Sequence, residues 1–141
     1  MALKIKKILV PLDGSSNSFR GLDTAIHMAR ECQATITGLY VAGIVKPRTS
    51  DPITPLEKIL LEHAQKIMKK AKITAARKGS LFFDRVSYGD DGKRIVEGAE
   101  KQNFDLIVIG SRGMGSAKEL FLGSTSNYVL HKSKKPVLVV K

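Results

Sequence analysis

Gly110 to Thr125, GSRGMGSAKELFLGST, is the stretch whose residue types and spacing point most directly to chemistry. Gly110 and Gly113 have two residues between them, Gly123 follows after nine more, and the hydroxyls of Ser124 and Thr125 come next. The apolar run Leu106–Ile109 leads straight into it. Glycines at the end of a strand let the backbone turn sharply and come close to a bulky ligand. Hydroxyls and amides at the start of the next helix suit an anion. The stretch therefore reads as a loop that holds phosphate. Arg112 and Lys118 lie within it and are candidates to pair with phosphate, although a loop cation is more often simply solvated.

A second segment with chemical potential is Val10-Pro11-Leu12-Asp13-Gly14-Ser15-Ser16. Asp13 is suited to accept hydrogen bonds from ribose hydroxyls or to hold a metal on phosphates. The competing reading is that it caps the following helix together with Ser15 or Ser16. Other familiar patterns are missing. There is no GxxxxGK[ST] loop and no GxGxxG after the first apolar run. A phosphoacceptor receiver domain would need an acidic pair after the first strand and a Lys after a later one, and neither is evident. His27, His63 and His131 lie far apart on helical stretches, without a nucleophile or metal-ligand spacing. Cys32 is the only cysteine, which excludes a disulfide framework and a cysteine zinc site and leaves a structural or incidental thiol. No catalytic constellation emerges.

The elements that must position these residues alternate. Five apolar runs, Ile5–Leu12, Ala34–Val41, Leu81–Tyr88, Leu106–Ile109 and Val137–Val140, are continuous rather than alternating at their centres. Strands covered on both faces read this way. Between them lie helical patterns. Phe19, Leu22, Ile26 and Ala29 mark the first. Leu56, Ile59, Leu60, Ala64, Ile67 and Ala71 form the stripe of the second, which opens on the capping box Thr54-Pro55-Leu56-Glu57 and closes at Gly79. The third spans about Asp91 to Lys101 and the fourth about Ser124 to His131. Five strands alternating with four helices predict one α/β domain over residues 1–141, with a parallel sheet between helical layers. In such sheets ligands sit beyond the carboxyl ends of the strands, where the strand order reverses. If the first and fourth strands are neighbours, Asp13 faces the glycine loop across one crevice, and Val41 at the end of the second strand supplies backbone groups to a base. Ala42 to Ile53 is a long irregular loop without an assigned role.

Bulk composition sets the frame. The chain has 141 residues, 43% apolar and 26% charged, enough for one ordinary globular core. Lys and Arg outnumber Asp and Glu by 24 to 13, giving a net charge of +11 that favours anionic partners. The basic residues are scattered and Trp is absent, so nucleic acid is a poor candidate. No apolar run is long enough to span a membrane. The opening Lys-rich segment runs into an acidic turn and reads as the first strand, so a cytoplasmic location is expected.

The residues resemble the universal stress protein family, in particular its ATP-binding subclass. KKILVPLDGSSNS resembles the family's first strand and turn, TITGLYV its second strand, and FDLIVIGSRGMGSAKELFLGSTSNYVLHKSKKPVLVVK its C-terminal part. The motif G-x2-G-x9-G-[ST] is met by Gly110, Gly113, Gly123 and Ser124. The stretch Met114-Gly115-Ser116 departs from the family's common pattern. The resemblance implies a three-layer, Rossmann-like fold with a five-stranded parallel sheet of order 3-2-1-4-5. It implies ATP, with Mg or Mn as an accompanying cation. Adenine would lie near Val41, Pro11 and Leu12, and Asp13 near the ribose and phosphates. Gly113, Gly123, Ser124 and Thr125 would contact phosphate, and Gly110 would lie close to the ribose. It also implies a homodimer through Val137–Val140, an apolar edge of the kind that seeks a partner. The expected function is an ATP-binding, stress-responsive sensor or regulator acting on a protein partner. Two alternatives stay open: a slow ATPase or phosphotransferase using Asp13 and Arg112, and an interaction protein with a vestigial pocket.

Overall fold

The computed structural model describes residues 4–113 and 122–141. The order of elements is β1 (Lys7–Pro11), α1 (Ser16–Cys32), β2 (Thr35–Ala42), α2 (Pro55–Arg77), β3 (Phe82–Tyr88), α3 (Asp91–Lys101), β4 (Leu106–Gly110), α4 (Ser124–Lys132) and β5 (Val137–Val140). All strand pairs are parallel, and the sheet order is β3-β2-β1-β4-β5. The expected strand order is met. The progression of strand order reverses at β1, so β2 and β4 flank β1 on opposite sides and their connections leave on opposite faces.

Sequence dictates the ends of the helices. Ser15 accepts from the Ser18 amide at 3.0 Å and starts α1. Thr54 accepts from the Glu57 amide at 3.1 Å and starts α2, with Pro55 in the first turn. Asp90 accepts from the Lys93 amide at 3.3 Å and starts α3. Gly79, at φ +76°, ends α2: only a residue tolerant of the left-handed region lets the Ser80 amide return to the Ala75 carbonyl at 2.9 Å.

The sheet divides the core in two. Ile8, Val10, Ile36 and Val108 pack with Leu22, Ile26, Ala64 and Ala71 from α1 and α2. Leu9, Ile107 and Ile109 pack with Ile95, Ala99, Phe104 and Val129 from the α3 and α4 layer. The strands are apolar on both faces because both faces are covered. Among the described residues no helix is long and apolar enough to cross a membrane.

One sequence expectation fails in detail. Leu56 and Ile59 are 55% and 62% exposed. The buried stripe of α2 runs instead through Glu57, Ala64, Ile67, Met68, Ala71 and Ala75. Leu56 precedes Glu57 by one residue, about 100° around the helix, so it and Ile59 lie off that line. The reciprocal half of the capping box is also missing, since the buried Glu57 Oε2 has no hydrogen-bond partner.

Candidate functional site

The hydrogen-bonded pair β1 and β4 places the two suspect strand ends side by side. Beyond them lies a cavity of about 540 Å³, ordinary for a small-molecule site. All ten residues selected from the sequence line it: Pro11, Leu12, Asp13, Val41, Gly110, Arg112, Gly113, Gly123, Ser124 and Thr125. Lys118 lies outside the described residues. The cavity wall also includes Ser18, Leu39, Asp91, Ile95, Ile109 and Ser126, which sequence reasoning did not select. Leu39, Val41, Ile95 and Ile109 make one apolar side. Hydroxyls, amides, Asp13 and Asp91 make the other.

Asp13 faces the glycine loop. A Cβ on Gly113 would stand 2.5 Å from Asp13 Oδ2, so any side chain there displaces the carboxylate. Asp13 Oδ1 accepts from the Ser15 amide at 2.9 Å. The cap of α1 is Ser15 itself, and Asp13 orders the turn before it. The Asp13 charge is felt across β2 by Tyr40. Burial chiefly, and Asp13 secondarily, raise the Tyr40 phenol above its ordinary value. The Tyr40 ring meets His63 edge-on at 5.8 Å.

Gly110 has a packing reason beside any ligand reason. A Cβ there would meet Asn17 Oδ1 at 2.7 Å and the Asn17 carbonyl at 2.8 Å, so glycine lets α1 close on the end of β4. Asn17 is 6% exposed. Its Oδ1 accepts from the Arg112 amide at 2.6 Å, and its Nδ2 donates to the Val140 carbonyl at 3.2 Å. One side-chain amide thus fixes the start of the glycine loop to α1 and to the end of β5. The only sequence signal for it was an Asn, rather than an apolar residue, one turn before the inward-facing Gly21.

The base of the loop is closed by hydrogen bonds. The buried Ser111 carbonyl accepts from the Gly123 amide at 2.7 Å and from Ser126 Oγ at 2.8 Å. This fixes the start of α4, whose first turn faces the cavity. α1, α2 and α3 each begin under a side-chain cap, whereas α4 begins at Gly123, which has none. Neither backbone nor space requires a glycine there. Gly123 has φ −69°, and a Cβ would meet only ordinary contacts of 3.4 Å or more. The fold would accept Ser or Asp at the N-cap, yet no side chain competes for the α4 amides.

Opposite, α3 begins beside α4. Gly92 lies under the Tyr128 ring, where a Cβ would stand 2.7 Å from Cδ1. That close approach lets Thr125 Oγ1 donate to Asp91 Oδ2 at 2.7 Å. The doublet Asp90-Asp91 was the available signal: one carboxylate caps α3 and the other faces the cavity. Among the described residues no cluster of three or more His, Cys, Asp or Glu is placed to hold a metal ion.

Fold and cleft define a doubly wound α/β protein with a polar and apolar cavity at its topological switch point. Residues 4–141 match the model of the universal stress protein family, and the chain belongs to that family. It is 34% identical to universal stress protein YxiE of Bacillus subtilis, over 96% of this chain and 98% of the relative. Among solved structures, universal stress protein UspA from Lactobacillus plantarum superposes with a TM-score of 0.86 at 28% identity, over 99% of this chain and all of the other. A universal stress protein in complex with cAMP shares the fold at 24% identity and a TM-score of 0.81, over 98% of each chain.

Proposed function

We propose that the switch-point cavity binds an adenine nucleotide, ATP in the leading reading, and that the protein acts as a nucleotide-dependent sensor or regulator. The observation that carries this is Gly123. A helix N-terminus that opens on the cavity has kept its amides clear of a side chain, at a position where backbone and space would admit one. Such a terminus attracts phosphate through its amides and its dipole. The apolar side formed by Leu39, Val41, Ile95 and Ile109 suits a base, and Asp13 suits ribose hydroxyls. Arg112, exposed at the edge of the cavity, supplies positive charge on the phosphate side. The cAMP-bound relative supports the capacity of this fold for adenine nucleotides.

Regulation would be read by assembly. β5 is an edge strand with residues partly exposed throughout. The Pro136 and Val140 carbonyls accept from Ile107 and Ser111 of the β4 side. Even-numbered positions thus bond inward, and the backbone groups of Val137 and Val139 point to the open edge. A second copy pairing there would give a homodimer.

Denaturing the purified protein and identifying released nucleotide by mass spectrometry tests the reading. Recovery of ATP, or micromolar binding by a nucleotide-free preparation, is expected. Neither retention nor binding of any adenine nucleotide would overturn it and favour a protein whose cavity has no ligand role.

A further inference from the structure

We propose that Asp91 sets the charge selectivity of the cleft: it disfavours a bare polyphosphate and makes tight nucleotide binding depend on an accompanying divalent cation. This rests on the nucleotide reading above and assigns the discrimination to one side chain.

Three observations carry it. Asp91 lines the same cavity as the α4 N-terminus, and its carboxylate is tied to the first turn of α4 by Thr125 at 2.7 Å. Phosphates gathered at the α4 amides therefore lie within a few ångström of a negative charge. Secondly, no described cation pairs with that charge. Neither ion pair among the described residues, Lys78–Asp23 or Arg94–Glu97, involves Asp91. Its other oxygen takes the Gly92 amide at 2.8 Å. The adjacent Asp90 is spent on the Lys93 amide. Thirdly, the Thr125 hydroxyl has committed its proton to Asp91, so it presents only lone pairs to the cavity. Asp91 and Thr125 together form a corner that accepts hydrogen bonds and repels phosphate oxygens. Water molecules carried on a magnesium–nucleotide complex satisfy such a corner, and the cation offsets the repulsion.

The geometry is built rather than incidental. The absent side chain of Gly92 lets α3 approach the Tyr128 ring and brings Asp91 to Thr125. Asp91 is exposed to solvent, so the repulsion is moderated by water, but it acts on several phosphate charges at once.

The test is calorimetric titration of nucleotide-free protein at low ionic strength. ATP is added in excess EDTA and in excess magnesium, with adenosine as an uncharged probe. Wild type is expected to bind ATP about tenfold more tightly with magnesium. Asp91→Asn should bind metal-free ATP about tenfold more tightly than wild type and lose most of the magnesium effect. Asp91→Glu should behave as wild type, and adenosine affinity should be the same in all three. Equal metal-free affinity in wild type and Asp91→Asn would overturn the selectivity role and leave nucleotide binding standing. Loss of adenosine binding in Asp91→Asn would overturn it in favour of a structural role. Failure of wild type and both variants to bind ATP or adenosine would overturn both readings.

Discussion

Gly113 and Asn17 carry opposite kinds of necessity at the same loop. Gly113 is a requirement of the cavity, because the first atom of a side chain would strike the Asp13 carboxylate. Gly113→Val should therefore displace Asp13 and block close approach of phosphate. ATP affinity is expected to fall by roughly a hundredfold, about 3 kcal/mol, while thermal unfolding changes little. Isothermal titration beside a melting curve separates the two effects. Asn17 is a requirement of the fold around the cavity. Asn17→Ala leaves the Arg112 amide without its partner, whereas the Val140 carbonyl keeps the Ser111 amide at 2.7 Å. One orphaned amide and one lost secondary bond should cost about 1–3 kcal/mol in urea unfolding. Tyr40 adds a pH signature. Its phenol is raised in the folded state, so the folded protein binds its proton more tightly than the unfolded chain. That contribution is complete below about pH 10 and is lost as pH climbs through the folded value. Tyr40→Phe should flatten the fall in urea midpoint on the alkaline side.

At the scale of elements, what sequence made legible follows from how locally each feature is determined. The Thr54 cap, the Gly79 terminus and the full span of β5 are encoded within a few residues and appear where expected. The facing of Asp13 and the glycine loop depends on strand order, which the alternation of elements left conditional and the family resemblance supplied. Helical phase was harder. The stripe through Leu56 and Ile59 looks as apolar as the one through Glu57 and Ala64, and only the position of α2 on the sheet chooses between them. Asp91 and Asn17 were illegible because each matters through a partner, Thr125 or Val140, that only the packed helices bring near. The N-cap of α4 yields the sharpest test at this scale. Gly123→Asp gives the helix the cap and the negative charge it lacks, in space that will hold it. Stability should rise by about 0.5–1 kcal/mol, whereas ATP affinity should fall more than about tenfold. A variant stabilised in a melting scan with unchanged affinity would contradict phosphate at that helix end.

For the molecule as a whole, the open edge at β5 is where the proposed dimer would form. Val139→Pro removes an outward amide without touching the inward bonds at Leu138 and Val140, so light scattering is expected to report a dimer for wild type and a monomer for the variant. The Asn17 amide has a consequence at this scale. It grips the loop at the cavity with one atom and the last turn of hydrogen bonding in the edge strand with another. In the proposed nucleotide-binding dimer, ligand occupancy and subunit pairing would share a mechanical pivot, and thermodynamic reciprocity would tie them. Whatever factor nucleotide applies to the dimerisation constant, dimerisation must return to the nucleotide constant. Replacing that pivot should uncouple the two equilibria, leaving each measurable and each indifferent to the other.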